Sequence, residues 1–99
     1  MLNINVKCEN GAAILSPEGR LDTVSAPEME KTVKELLPDL KSLTFDFEKL
    51  DYISSAGLRV LLSAQKAMMK QGEMKVCNVN ETIAEIFEVT GFSDILNIE

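Results

Sequence analysis

Between Ser42 and Lys70 the hydrophobic residues change period, and that change restricts the chain to folds in which a buried strand feeds an amphipathic helix through a tight corner. Leu43, Phe45 and Phe47 alternate with Thr44 and Asp46, the spacing of a strand, whereas Leu58, Leu61, Leu62, Met68 and Met69 recur at helical spacing. The joint reads Asp51-Tyr52-Ile53-Ser54-Ser55-Ala56-Gly57-Leu58-Arg59. Unpaired backbone N–H groups and the macrodipole favour negative charge at a helix N-terminus, so a hydroxyl at this corner is well placed to carry a phosphate. Rigid flanking elements hold such a position ready for a partner.

The remaining periodicities complete an α/β pattern. Ile4, Val6 and Cys8 alternate with polar residues, and Asn10-Gly11 is a hairpin signal before the apolar run Ala12 to Leu15. Ser25 followed by Glu28 has the form of a capping box, Val24 and Met29 are spaced as a hydrophobic staple, and Pro27 suits a first turn. A helix is expected from there to Pro38, with an apolar stripe of Met29, Val33, Leu36 and Leu37 and i,i+4 pairs Glu30–Lys34 and Lys31–Glu35. A strand over Ser42 to Phe47 and a helix from about Ala56 to Lys70 follow, with Gly72 as the expected C-cap. Met74 to Val79 reads as a strand, Asn80 to Thr90 as a helix ended by Gly91, and Ile95 to Ile98 as an edge strand. This order predicts a mixed four- to five-stranded sheet with helices packed mainly on one face and right-handed crossovers between parallel strands. Residues 1–99 are expected to form a single domain, since 99 residues supply one core.

Charge and composition narrow the function. A net charge of −6 disfavours nonspecific nucleic-acid binding and anionic membranes, because both depend on Lys and Arg. No apolar run approaches the roughly 18 residues of a spanning helix, so membrane insertion is not expected and a cytoplasmic protein is. The chain has no His, which removes the commonest general base and the commonest metal ligand. Cys8 and Cys77 lie in separate apolar runs with no metal-ligand spacing and are expected as reduced core residues.

The Gly19-Arg20-Leu21-Asp22 segment, the Phe45-Asp46-Phe47 strand end, the corner from Tyr52 to Arg59 and Val89-Thr90-Gly91-Phe92 occur together in an order and spacing that covers nearly the whole chain. In these residues the sequence resembles the STAS domains, and among them the bacterial anti-sigma-factor antagonists. The resemblance implies a STAS-like fold and a cytoplasmic, non-enzymatic switch that binds an anti-sigma factor, itself a serine kinase, and so frees a sigma factor. It implies that phosphorylation of the serine two positions before the glycine disables the switch and that a PP2C-type phosphatase restores it. In this chain that serine is Ser55, ahead of Gly57. Well-known members carry Asp just before the phosphorylated serine, where this chain has Ser54. The alternative is a STAS subunit of a transport ATPase, serving lipid or anion transport, that is never phosphorylated.

The expected partner surface around Ser55 comprises Ser54, Ala56, Gly57, Leu58, Arg59, Leu62, Ser63 and Lys66. Serine is also a preferred N-cap, so one of the two hydroxyls has a capping role open to it. Gly57 either eases a turn or lets another backbone approach the hydroxyl. At about 100° per residue, Ser55, Arg59, Ser63, Lys66 and Lys70 fall in a stripe roughly 80° wide, a basic ridge that is either a solvated face or a docking face. Leu58, Leu62 and Met69 border it and either pack on the neighbouring helix or form the apolar part of a partner site. An enzyme reading lacks support: Ser55 has neither a nucleophile-elbow glycine two residues earlier nor a nearby base, and Lys66 lies about 16 Å along the helix. Asp46, Glu48 and Asp51 read as loop carboxylates rather than a Mg²⁺ site, and GxxxxGK[ST] is absent. No cofactor or metal is expected.

Overall fold

A computed structural model describes residues 2–99. In chain order the elements are β1 (Asn3–Glu9), β2 (Ala12–Leu21), α1 (Ala26–Leu36), β3 (Ser42–Asp46), β4 (Leu50–Ile53), α2 (Ser55–Met68), β5 (Glu73–Cys77) and α3 (Glu81–Thr90), followed by a 3₁₀ turn over Phe92–Asp94. The hairpin signal turns β1 back on β2, with Asn10 at φ 51° and Gly11 at φ 82°, as a two-residue hairpin loop requires. β1 is antiparallel to β2. The other contacts are parallel: β2 with β3, β3 with β5, and the far end of β2 with β4. The sheet therefore runs β1-β2-β3-β5, with β4 beside the C-terminal part of β2.

Strand alternation sorts the two faces. Ala13, Leu15, Leu43, Phe45, Met74 and Val76 are buried, and all belong to one core cluster that also takes Met29 and Val33 from α1, Leu61, Ala64 and Met68 from α2, and Ile83 and Phe87 from α3. Their sequence neighbours Ala12, Ile14, Thr44 and Lys75 are exposed or half-buried on the opposite face. The helices thus cover one face, and the mixed five-stranded sheet has the expected form.

Several local expectations are corrected. The strand that hands over to α2 is β4, not the Ser42–Phe47 run. β3 stops at Asp46, and Leu50–Ile53 forms a separate strand beside Gly19–Leu21 across a register shift at Gly19/Arg20. The capping box at Ser25 does not form: Ser25 has helical backbone angles, is buried and makes no cap bond. Its hydroxyl donates to the Arg20 carbonyl at 2.8 Å and accepts from the Asp22 N–H at 2.9 Å. Asp22 closes the turn instead, its Oδ1 accepting from the N–H groups of Val24 and Ser25, each at 3.1 Å. The staple is absent, since Val24 is 88% exposed. Of the two side-chain pairs proposed on α1, Glu30–Lys34 closes at 3.2 Å, while Lys31–Glu35 forms no ion pair. Gly72 is no left-handed cap; it lies where any side chain would strike the Lys41 backbone. α3 ends as expected on Gly91 at φ 83°. The Ile95–Ile98 strand reduces to a single parallel bridge, Val76 to Ile98. Cys8 is exposed and Cys77 half-buried, so neither is the expected core residue; both are free thiols. Burial, then the nearby Asp46 carboxylate, pushes the Cys77 thiol up.

Candidate functional site

The corner is built by β2 and β4 together. Leu21 and Ile53 end these parallel strands side by side, and the Ser54 N–H donates to the Leu21 carbonyl at 2.8 Å, which fixes the point where the chain leaves the sheet. Ser54 keeps extended backbone angles, φ −97° and ψ 177°, as an N-cap should. Its hydroxyl accepts from the Gly57 N–H at 3.4 Å, and its carbonyl accepts from the Leu58 N–H at 2.9 Å. Ser55 is then the first residue of the 14-residue α2, and it is exposed. Among the described residues no hydrogen bond involves its hydroxyl. The two adjacent serines have separated into a half-buried cap and an exposed, unengaged hydroxyl at the positive end of a helix.

Gly57 and Leu58, expected at the partner surface, are buried. A Cβ on Gly57 would lie 2.7 Å from Ile53 Cγ1 and 2.8 Å from Leu21 Cγ, so the glycine lets the first turn of α2 sit directly on β2 and β4. Its use is close packing within the chain, neither a turn nor an opening for a partner's backbone. Leu58 joins the core at 6% exposure. Of the residues bordering the ridge, Leu62 is half-buried and Met69 is 73% exposed, so one flank packs inward and the other faces out.

Ser55, Arg59, Ser63 and Lys66 are all exposed along the outer face of α2, while Lys70, expected to continue the ridge, is exposed in the turn beyond the helix, which ends at Met68. Ala56 is half-buried beside a shallow cleft of about 220 Å³ lined by Thr23, Ala26, Pro27, Glu30, Arg59 and Val60. This surface continues across the start of α1, where Thr23 and Pro27 join it, which sequence spacing did not show. The Ser25 N–H, assisted by the Ser25 hydroxyl, the Val24 N–H and Arg20, outweighs partial desolvation and holds the Asp22 carboxyl below the usual carboxylate range. Arg20 stacks over Tyr52 with its guanidinium carbon 4.5 Å from the ring centroid, an added clasp between β2 and β4. Asp46 is a hydrogen-bonded loop carboxylate, accepting from the Glu48 N–H at 3.1 Å and from Asn78 Nδ2 at 2.9 Å. No helix among the described residues is long and apolar enough to cross a membrane.

Comparison with known proteins places this geometry. A family model described as the STAS domain matches residues 3–99. The chain is 32% identical to BtrV of Bordetella bronchiseptica, with 90% of this chain and 78% of that protein covered. It is 29% identical to the anti-sigma-B factor antagonist of Bacillus subtilis, with 98% of this chain and 90% of that protein covered. The fold superimposes with a TM-score of 0.90 on the crystal structure of an anti-sigma factor antagonist from Mycobacterium paratuberculosis, at 20% identity and covering 99% of this chain and 85% of that one.

Proposed function

This chain belongs to the STAS-domain family, and from that premise we propose that it is an anti-sigma-factor antagonist: it binds an anti-sigma factor through the α2 corner, and phosphorylation of Ser55 disables that binding. Relatives named as antagonists match over nearly the full length of the chain, which supports the function. The observation that carries the site is the division of labour between the two serines. Ser54 spends its hydroxyl on the Gly57 N–H, whereas Ser55 stands exposed at the first helical position. A phosphate added there meets the open N–H end of α2 and disturbs no buried contact.

The proposed partners are an anti-sigma factor that is itself a serine kinase and a PP2C-type phosphatase that resets the switch. The chain does no chemistry of its own in this reading; the kinase supplies ATP and the transfer. Arg59 and Lys66, with the Ser63 hydroxyl between them, give the docking face its positive edge, while Ala56 supplies apolar area in the cleft between α1 and α2 and half-buried Leu62 supplies it beside the ridge. Incubation with candidate anti-sigma kinases and ATP, followed by phosphosite mapping, tests the reading. Ser55→Ala should abolish incorporation and Ser54→Ala should retain most of it. Phosphate found on Ser54 alone, or on neither serine with every candidate kinase, refutes the assignment.

A further inference from the structure

The two edges of the sheet are treated differently. Along β5 the chain's own tail closes the edge: the Val76 N–H donates to the Asn97 carbonyl at 2.9 Å, and the Glu99 N–H donates to the Val76 carbonyl at 2.8 Å. Among the described residues nothing pairs with the outer side of β1. That strand is regular over all seven residues, its register with β2 contains no bulge, and it holds no proline. The usual devices that blunt an exposed edge reduce here to two charges near one end of the strand, Lys7 and Glu9.

The side chains of β1 add a second observation. Ile4, Val6 and Cys8 lie opposite Pro17, Leu15 and Ala13, all buried on the helix-covered face. Residues opposite each other in an antiparallel pair share a face, so these three extend the core surface out to the edge. Ile4 is half-buried against the core, but the other two are left open: Val6 is 42% exposed and Cys8 is exposed. An apolar row and an unpaired backbone thus run along the same strand.

We propose that β1 is a self-association edge, on which a second copy of this chain pairs antiparallel about a two-fold axis through Val6. Val6 is the midpoint of Asn3–Glu9, and only this symmetric register pairs the whole strand. It sets Val6 on Val6, Ile4 on Cys8, Asn5 on Lys7 and Asn3 on Glu9, so the apolar row continues across the junction and no like charges stand directly opposite. Moving the axis to Lys7 leaves two residues of each strand unpaired and faces one ammonium with another. The joined sheet is continuous, with the helices of both copies on one face. A strand of seven residues is about 24 Å long, and such an edge buries less than the roughly 1,200 Å² of a standard interface. The dimer is therefore weak and concentration-dependent, and it does not rest on the role of Ser55.

Sedimentation equilibrium from about 10 µM to about 1 mM should show reversible dimerisation, and Val6→Lys, which sets two ammonium groups face to face, should weaken it at least about tenfold. In a Cys8→Ser/Cys77→Ser background, Val6→Cys should form a disulfide-linked dimer under mild oxidation, because opposite residues of a pair have Cα atoms within disulfide range. Ile14→Cys, equally exposed but on the other face of β2, should not. A chain monomeric at every concentration, leaving the edge to a strand of some other protein, overturns the proposal. So does a dimer indifferent to Val6→Lys, or equal cross-linking at positions 6 and 14.

Discussion

Replacing Gly57 with alanine tests how tightly the corner is built. The new methyl would stand 2.7 Å from Ile53 Cγ1 and 2.8 Å from Leu21 Cγ, closer than carbon atoms pack. Neither neighbour has room to swing away, since Leu21 is 0% and Ile53 1% exposed and both are held in strands. Overpacking of this kind costs about 1–3 kcal/mol. Alanine returns roughly 0.5–1 kcal/mol of helix propensity, less in a first turn whose backbone is only half constrained. The expected net loss is about 1–2 kcal/mol, and each kcal/mol lowers the midpoint of a domain this size by about 4–8 °C. Thermal unfolding followed by circular dichroism reads it directly. Leu21→Ala removes one of the two clashing atoms, so the double variant should lose less than the sum of the singles. A Gly57→Ala protein as stable as the parent, or costs that simply add, would refute the claim that this glycine seats α2 on the strands.

Arg59→Glu should leave folding within about 1 kcal/mol, because Arg59 is exposed just past the first turn of α2, at the helix end where the macrodipole tolerates an anion, yet weaken binding to the anti-sigma partner at least about tenfold; calorimetric titration checks the affinity and circular dichroism the fold. Ser54→Ala should lower stability by about 0.5–1 kcal/mol in chemical denaturation, at the modest end for a cap because its bond to the Gly57 N–H is 3.4 Å long. Timed alkylation with peptide mapping should label Cys8 well before Cys77, since Cys8 is exposed whereas burial pushes the Cys77 thiol up and leaves less thiolate near neutral pH.

Much of this architecture was legible in sequence because long amphipathic periods survive tertiary packing. α1, α2 and α3 and the core positions of β2, β3 and β5 follow directly from spacing. β4 did not, since four residues reading Leu50-Asp51-Tyr52-Ile53, with a register shift in the partner strand, carry no clear alternation. The capping box expected at Ser25 failed because the Arg20 carbonyl, from a different element, takes the Ser25 hydroxyl, which spacing along the chain cannot show. Cys8 alternates correctly yet ends exposed, because alternation marks a face and does not tell a covered strand from an edge. At the corner itself the spacing located both serines, while their separate roles depended on which hydroxyl turned toward the Gly57 N–H.

In the proposed switch, phosphate on Ser55 acts at a surface and leaves the fold intact. A phosphoserine there adds about −1.5 to −2 charge at neutral pH, at a helix end that favours anions. Calorimetric titration of the anti-sigma partner with Ser55-phosphorylated and unmodified protein, paired with thermal midpoints for both, measures the two halves of that claim together. The phosphorylated protein should have a midpoint equal to or above that of the unmodified protein and an affinity at least about tenfold weaker. Undiminished affinity, or an affinity lost along with helical signal and stability, would contradict it.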